Sequence, residues 1–227
     1  MTIWASSDHH VGNGGQRDPW TAEAMREWVR DCAEIAHMAS EGDHVVLCGD
    51  VLEMWAHKPR SVLFGPSCFT FFRAMVPCIR AGGTVWYVVG NHDDWVLKHQ
   101  DAVAAALPIG VRIVRDVAIG PYHFLHGHQA DAANSDHRWI GRLVTGLGAA
   151  VGTVSRRAYG AARDAASRIE HTGRNSRTER HREAMRAMGM ESGLHVVCGH
   201  SHSRWDGEGV TDCGKWAKDG WVVLPDA

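Results

Sequence analysis

The chain has 227 residues, of which 44% are hydrophobic and 22% charged, and its formal net charge is −2. This length is enough for one domain with a sizeable core, and the charge balance argues against a protein that contacts nucleic acid over a large surface. No apolar run approaches the ~20 residues of a membrane span, no signal-peptide pattern opens the chain, and its six cysteines form no CxxC pair, so we expect a cytoplasmic protein with reduced thiols.

Strands and helices alternate along most of the chain. Apolar residues at helical spacing predict a helix over 21–40, with Thr21 as its cap, and another over 66–81. A Gly-Pro turn divides the region 111–127 into two strands. The apolar runs that predict strands fall in residues 1–6, 44–50, 84–90, 111–127, 194–200 and 220–224. This alternation is typical of an α/β core.

Residues 131–190 have a different character. Apolar side chains recur at every third or fourth position between Trp139 and Val154, which predicts an amphipathic helix, and a second helix is predicted over 178–190. Arginine outnumbers the acidic residues eleven to six in this segment. We therefore predict a single domain over residues 1–227, with a helical lid or insertion at about 131–192.

Polar side chains follow five of the predicted strands at the point where each strand ends. In order along the chain they are Asp8 and His10, then Asp50, then Asn91, His92 and Asp93, then His126 and His128, then His200 and His202. One such pair alone is more often a simple turn, but the whole series places oxygen and imidazole ligands at the sheet edge where α/β proteins bind ligands. These ligands suit borderline first-row metals and are too many for one ion. They predict two ions ~3.5–4 Å apart, an arrangement that serves phosphoryl transfer.

These motifs resemble the five sequence blocks of the calcineurin-like metallophosphoesterases. The blocks are DxH at 8–10, GDxx(D/E) at 49–53, GNH(D/E) at 90–93, a lone histidine at 126 and GHxH at 199–202. The resemblance runs from residue 3 to about 217 and implies a four-layer αββα sandwich of two mixed β-sheets. It implies that one metal is held by Asp8, His10, Asp50 and His202. The second metal would be held by Asp50, Asn91, His126 and His200.

The resemblance also implies a reaction and roles for the remaining residues. A hydroxide that bridges the two metals would attack the phosphorus, and His92 would protonate the leaving oxygen as a general acid. Asp93 would hold the His92 ring and keep it protonated. His9 lies between two ligands and is expected to point away. Manganese is the expected metal, with iron, zinc and nickel as alternatives.

Finer features look like the branch that includes the UDP-2,3-diacylglucosamine hydrolases. They are GDVLEMW at 49–55, HGHQAD at 126–131 and CGKW at 213–216. In that branch the insertion is a lid whose basic residues hold phosphates. By analogy, the candidate substrate contacts are Arg174, Arg177 and Arg180, together with His128, which is alternatively a metal ligand in place of His126.

Three substrate classes follow from the resemblance. The lipid enzymes typically carry Arg at the position of His92 and Asp at that of His128, so the first expectation is a small phosphate ester, phosphodiester or nucleoside diphosphate derivative. A lipid-linked UDP-sugar, with peripheral contact to lipid, is the second, and a nuclease of the same superfamily is the third. We expect a small-molecule partner and no stable nucleic-acid partner.

Overall fold

Two five-stranded β-sheets form the centre of the computed structural model, which describes residues 1–15, 18, 20–107, 110–130 and 178–225. The first sheet contains β1 (Ile3–Ser6), β2 (His44–Cys48), β3 (Thr84–Val88), β4 (Val111–Val114) and β10 (Val222–Leu224). Its order is β10-β1-β2-β3-β4, and only β10 runs antiparallel to its neighbour. The parallel strands therefore bring the ends of β1, β2 and β3 to one edge.

The second sheet contains β5 (Val117–Ile119), β6 (Tyr122–Phe124), β7 (His195–Cys198), β8 (Trp205–Gly207) and β9 (Val210–Asp212). Its order is β5-β6-β7-β9-β8, in which β6, β7 and β9 are parallel and the two outer strands are antiparallel. Both sheets are thus mixed. The ends of β6 and β7, which carry the later histidine motifs, also lie side by side.

Short helices connect the strands. They are α1 (Ala22–Met38), α2 (Pro59–Leu63), α3 (Pro66–Ala74), α4 (Val76–Arg80), α5 (Trp95–Lys98), α6 (Gln100–Ala106), α7 (178–192) and α8 (Trp216–Asp219), with a 3₁₀ turn at His128–Ala130. Thr21 caps α1 as predicted, because its side chain accepts a hydrogen bond from Ala24 N at 3.1 Å. The helix predicted over 66–81 is divided at Met75, since Pro77 has no N–H with which to continue the ladder.

Three apolar clusters separate four layers. The central cluster lies between the sheets and joins residues such as Val46 and Val88 to Phe124 and Val197. A larger cluster packs α1, α3 and α4 on the outer face of the first sheet. The third cluster packs Met185 of α7 on the outer face of the second sheet. The predicted sandwich of two mixed sheets with flanking helices is confirmed.

The predicted insertion is described only at its C-terminal end. The second predicted helix is confirmed as α7, and its Met185 is fully buried against the second sheet. The amphipathic helix predicted over 139–154 lies outside the described residues, as do Arg174 and Arg177, so the bounds of the insertion stay a prediction. All six cysteines are buried and none is in a disulfide. The helices of the described ranges include none long and apolar enough to cross a membrane.

Candidate metal centre

Backbone hydrogen bonds align the first two motif loops. The pairing of β1 with β2 continues past the strand ends, where Asp8 N donates to Gly49 O at 3.1 Å and His10 N donates to Asp50 O at 2.9 Å. The two loops therefore run side by side beyond the sheet. This arrangement places Asp8 and His10 beside Asp50, which lies about forty residues later in the chain.

Five of the predicted metal ligands share a strained backbone. Asp8, His10, Asp50, His200 and His202 have φ values between 50° and 72°, and they are the only non-glycine residues with positive φ in the described part of the chain. This left-handed region costs a non-glycine residue on the order of 1–3 kcal/mol, and such strain concentrates at functional sites. The strained backbone therefore points to the same residues that the sequence predicted as ligands from their positions after strands.

The first triad consists of Asp8, His10 and His202. Asp8 Oδ1 lies 3.0 Å from His202 Nε2 and 3.8 Å from His10 Nε2, and the two ring nitrogens lie 3.3 Å apart. Atoms that bind a tetrahedral ion at about 2.0–2.1 Å lie about 3.3 Å from one another. The three atoms therefore have the spacing of ligands around one small cation.

One oxygen of Asp8 is left for such a cation. Asp8 Oδ2 accepts hydrogen bonds from Ser7 Oγ at 2.7 Å and from His200 N at 2.9 Å. Asp8 Oδ1 is buried and accepts none from the described residues, because His202 Nε2, although close, is not aligned as a donor. Burial alone would raise the pKa of Asp8, but the His202 imidazole lowers it well below its usual range. A buried ionised oxygen without a donor fits a bound cation.

The second triad consists of Asp50, His126 and His200, with Asn91 beside it. His126 Nε2 lies 3.2 Å from Asp50 Oδ2 and 3.1 Å from Asn91 Oδ1. His126 Nδ1 lies 2.9 Å from Cys48 O, so a proton on Nδ1 leaves Nε2 as the ligand atom. Asp50, His126 and His200 offer ligand atoms within 4.8 Å of one another. The groups predicted for the second metal are therefore together.

The electrostatics of the second triad favour positive charge. Burial alone would lower the pKa of His126, but the Asp50 carboxylate raises it to about 10. Asp50 is 2% exposed, and it interacts with His10 as well as with His126. Asp50 thus lies between the two triads, where a carboxylate shared by two cations would lie.

Glycines allow these close approaches. Gly49 has φ +87°, and a Cβ there would overlap the His126 ring. A Cβ on Gly90 would overlap the backbone nitrogen and Oδ1 of Asp50. Positions 49 and 90, which directly precede Asp50 and Asn91, therefore have no room for a side chain larger than that of glycine.

The model of the calcineurin-like phosphoesterase family matches residues 1–204 of the chain. The chain belongs to this family. It is therefore a metal-dependent phosphoric ester hydrolase, and membership implies a dinuclear centre of divalent metals, for which the two triads provide candidate ligands. A search of the curated proteins finds no match to the chain.

Glu53 holds His92 in this phosphoesterase. His92 Nδ1 lies 3.0 Å from each carboxylate oxygen of Glu53, and the His92 ring stacks on Trp55 with centroids 4.0 Å apart. Burial alone would lower the pKa of His92, but the Asp50 and Glu53 carboxylates raise it to about 9. Glu53 Oε2 also lies 3.2 Å from His10 Nδ1. Glu53 stood in the GDxx(D/E) block but was not predicted as a site residue.

Asp93 is hydrogen-bonded to groups other than His92. Its Oδ2 accepts hydrogen bonds from Val51 N at 2.8 Å, Leu52 N at 3.2 Å and Tyr87 Oη at 2.6 Å, and its Oδ1 accepts one from Gly90 N at 2.6 Å. Burial and the nearby Asp50 raise the pKa of Asp93 to about 6. Asp93 therefore ties the loops after β2 and β3 together. Among the described residues the hydrogen-bond partner of the His92 ring is Glu53 and not Asp93, although the Asp93 carboxylate also contributes to the raised pKa of His92.

His9 points away from the site, as predicted. Its Nε2 lies 3.0 Å from Ser6 Oγ, and its ring packs against Trp28, Phe71 and Trp216. Burial lowers the pKa of His9 to about 3, so the ring is neutral at ordinary pH. His9 thus belongs to the aromatic core behind the ligands that flank it.

The remaining candidates lie at different distances from the triads. The His128 ring is buried, with its centroid 5.5 Å from that of His126 and 6.5 Å from that of His200. Arg180 is exposed on α7. His181, for which the sequence carried no signal, is buried with its ring 5.7 Å from that of His200 and its Nε2 3.8 Å from Cys198 Sγ. His128 and His181 therefore border the second triad.

Proposed function

We propose that this phosphoesterase acts through two divalent ions that share Asp50. The first ion would take Asp8, His10, Asp50 and His202, and the second would take Asp50, Asn91, His126 and His200. The convergence of the two triads on either side of Asp50 carries this assignment. The ligands are oxygen and imidazole nitrogen, which suits manganese best, with iron, zinc and nickel as alternatives.

The protein residues would supply positioning and a proton. Two bound divalent ions lower the pKa of a water molecule and neutralise charge on the phosphate oxygens. His92 would donate its proton to the leaving oxygen, because its raised pKa keeps the ring protonated near neutral pH. Glu53 orients His92 through Nδ1, and Trp55 covers one face of the ring. We assign no proton transfer to Asp93.

The first candidate substrate is a small phosphate ester, a phosphodiester or a nucleoside diphosphate derivative. The presence of His92 supports it, because a general acid allows departure of poor leaving groups. The second candidate is a lipid-linked UDP-sugar such as UDP-2,3-diacylglucosamine. The motif GDVLEMW at 49–55, which is similar to the corresponding motif of the UDP-2,3-diacylglucosamine hydrolases, is the observation that favours it. In either case His128 and the arginines 174, 177 and 180 are the proposed contacts to substrate phosphates.

Metal reconstitution tests the proposal. Protein stripped of metal should regain hydrolysis of bis-p-nitrophenyl phosphate or p-nitrophenyl phosphate when Mn, Ni or Zn is added singly, with Mg as the comparison. Asp50→Ala should not regain it. Asp116→Ala is the matched control, since Asp116 is a half-exposed partner of His123 away from both triads. Hydrolysis that survives metal removal, or a wild-type rate in Asp50→Ala, would refute the proposal.

A substrate assay separates the two candidates. Enzyme in excess over UDP-2,3-diacylglucosamine should release UMP if the lipid-linked substrate is the right one. Release of no UMP by a preparation that hydrolyses the p-nitrophenyl esters would exclude it. The ratio of the two ester rates then distinguishes a diesterase from a monoesterase.

A further inference from the structure

The loop after β7 has to hold two strained ligands at once. His200 and His202 have φ values of 72° and 55°, and Ser201 alone separates them. We propose that Ser201 and Asp212 form a positioning pair that fixes this loop so that both imidazoles face the metal cluster. This inference rests on the proposed function, because it concerns the same ions.

Strand pairing brings Asp212 to the base of the loop. Asp212 is the last residue of β9, which runs parallel to β7. In this pairing Asp212 lies opposite Cys198, and Cys213 N donates a hydrogen bond to Cys198 O at 2.7 Å. Asp212 is fully buried. β7 ends at Cys198, and three residues later the Ser201 hydroxyl reaches the Asp212 carboxylate at the end of β9. Asp212 therefore lies directly under the loop.

Each polar atom of the pair has a defined partner. Ser201 Oγ donates to Asp212 Oδ2 at 2.5 Å and accepts from Ser203 N at 3.1 Å. Asp212 Oδ1 accepts from Gly214 N at 2.9 Å. The hydroxyl of Ser201 thus links the buried carboxylate to the backbone on the far side of His202. A short hydrogen bond to a carboxylate is one of the stronger ties available to a loop.

The loop is held at a second point by a ligand of the first triad. His200 N donates to Asp8 Oδ2 at 2.9 Å, so Asp8 fixes the backbone before Ser201 while Asp212 fixes it at Ser201. Neither Ser201 nor Asp212 belongs to the first or the second triad, although Asp212 also lies with His181 and Cys198 in a further buried group of potential ligands. Their effect on metal would therefore act through the direction of His200 and His202. Partners of this kind typically change metal affinity by about 10–100-fold when they are removed.

Metal titration of the purified full chain tests the pair. Ser201→Ala removes the hydroxyl, and Asp212→Asn keeps the side-chain volume while it removes one acceptor. We expect each to raise the Kd for Mn²⁺ by about 10–100-fold in calorimetric titration of metal-free protein. Ser201→Thr keeps the hydroxyl and should restore the affinity. Ser192→Ala is the matched control, because Ser192 Oγ also makes local hydrogen bonds, as a donor to Met188 O and Gly189 O and as an acceptor from Leu194 N.

The outcomes separate this inference from the proposed function. Wild-type protein that binds two Mn²⁺ while both variants bind with the same Kd would overturn the positioning pair alone. A lower Tm of the metal-free variants without a change in Kd would do so too, because it would show a purely structural role. Wild-type protein that binds no Mn²⁺ would overturn both. Weaker binding in Ser201→Ala and Asp212→Asn, with recovery in Ser201→Thr, would support the pair.

Discussion

His92 is the residue whose chemistry depends most on its immediate neighbours. It is held by Glu53 through Nδ1 and stacked on Trp55, so its other nitrogen is directed toward Asp50, with Nε2 3.9 Å from Asp50 Oδ2. A protonated imidazole in this position could deliver a proton to an oxygen that departs from phosphorus beside the candidate metal centre. The proposed metal ligands do not include His92, so substitution of His92 can separate its contribution from metal binding.

Substitution of His92 should therefore depend on the leaving group. His92→Asn should lower kcat about 10²–10⁴-fold for alkyl phosphate esters, which need protonation, and much less for p-nitrophenyl esters. Bound metal should stay at the wild-type content. His99→Asn is the control, since His99 also stacks on a tryptophan, Trp95, but is exposed. Equal losses for both ester types, or a loss of bound metal, would contradict a general-acid role.

Glu53 and Asp93 should have separable effects. Glu53→Gln removes the negative partner of His92, so kcat should fall as in His92→Asn. Asp93→Asn leaves some of the four donors around Asp93 without an acceptor, so the free energy of unfolding should fall by roughly 1–3 kcal/mol. Steady-state kinetics and urea unfolding of both variants measure the two effects. A large loss of kcat in Asp93→Asn, together with an unchanged kcat in Glu53→Gln, would support the role of Asp93 that was expected from the sequence.

The sequence could place these side chains but could not orient them. Asp93 follows His92 directly in the chain, and the resemblance implied that its carboxylate would hold the His92 ring. Its carboxylate instead meets Val51 N, Leu52 N and Tyr87 Oη, donors that only the folded loops bring together. Glu53 was visible in its motif, yet its contacts with both His10 and His92 depend on the same loop packing. The residues that come together at the site were thus readable from the sequence, whereas the hydrogen-bond partner of each side chain was not.

At the scale of elements, apolar runs predicted β1, β2, β3 and β7 because most of the residues in these strands are buried. The hairpin of β8 and β9 was missed, since Trp205–Gly207 and Val210–Asp212 are three residues each and too short to show a period. Gly209, with φ +75°, was the one local signal of the turn. The missed hairpin matters, because β9 supplies Asp212.

Asp43 joins the turn before β2 to the start of β1. Its carboxylate accepts from Thr2 N at 2.6 Å and from Ser40 N and Oγ at 2.9 Å each. Burial alone would raise the pKa of Asp43, but these hydrogen bonds lower it. The ionised form is therefore favoured more in the folded than in the unfolded chain. Its stabilising contribution is present above the unfolded pKa of about 3.9 and is lost as the pH falls through the folded pKa.

Asp43→Asn should accordingly reduce stability in a pH-dependent way. We expect the free energy of unfolding to fall by roughly 1–3 kcal/mol near neutral pH. The difference from wild type should shrink below about pH 4, as the carboxyl of the wild type becomes protonated. Urea unfolding at several pH values measures it, with the half-exposed Asp116→Asn as the control. A difference that grows on acidification would have the wrong sign.

Gly90 tests the spacing between β3 and the loop after β2. A Cβ at this position would overlap the backbone nitrogen and Oδ1 of Asp50, so Gly90→Ala should displace the carboxylate between the triads and weaken Mn²⁺ binding. Gly209→Ala is the comparison, because a Cβ there meets nothing within 4 Å and only the backbone strain of φ +75° is added. Calorimetric Mn²⁺ titration of both proteins is the measurement. Wild-type affinity in Gly90→Ala would show that the loop can yield without moving Asp50.

At the scale of the whole molecule, the candidate metal centre spans both sheets. Asp8, His10, Asp50 and Asn91 follow strands of the first sheet, whereas His126, His200 and His202 follow strands of the second. Each triad takes ligands from both sheets. Two bound ions would therefore link the sheets at their shared edge, in addition to the apolar cluster between them.

Metal removal should consequently lower stability without unfolding the protein. The three apolar clusters contain none of the proposed ligands, so the metal-free chain should keep its secondary structure in circular dichroism. Ligand binding to the folded state alone adds about 2.7 kcal/mol at a concentration of one hundred times Kd, so Mn²⁺ should raise Tm in a concentration-dependent way. Asp50→Ala, which lacks the shared carboxylate, should show a much smaller rise. A metal-free protein that is already unfolded would mean that the ions, and not the apolar clusters, hold the two sheets together.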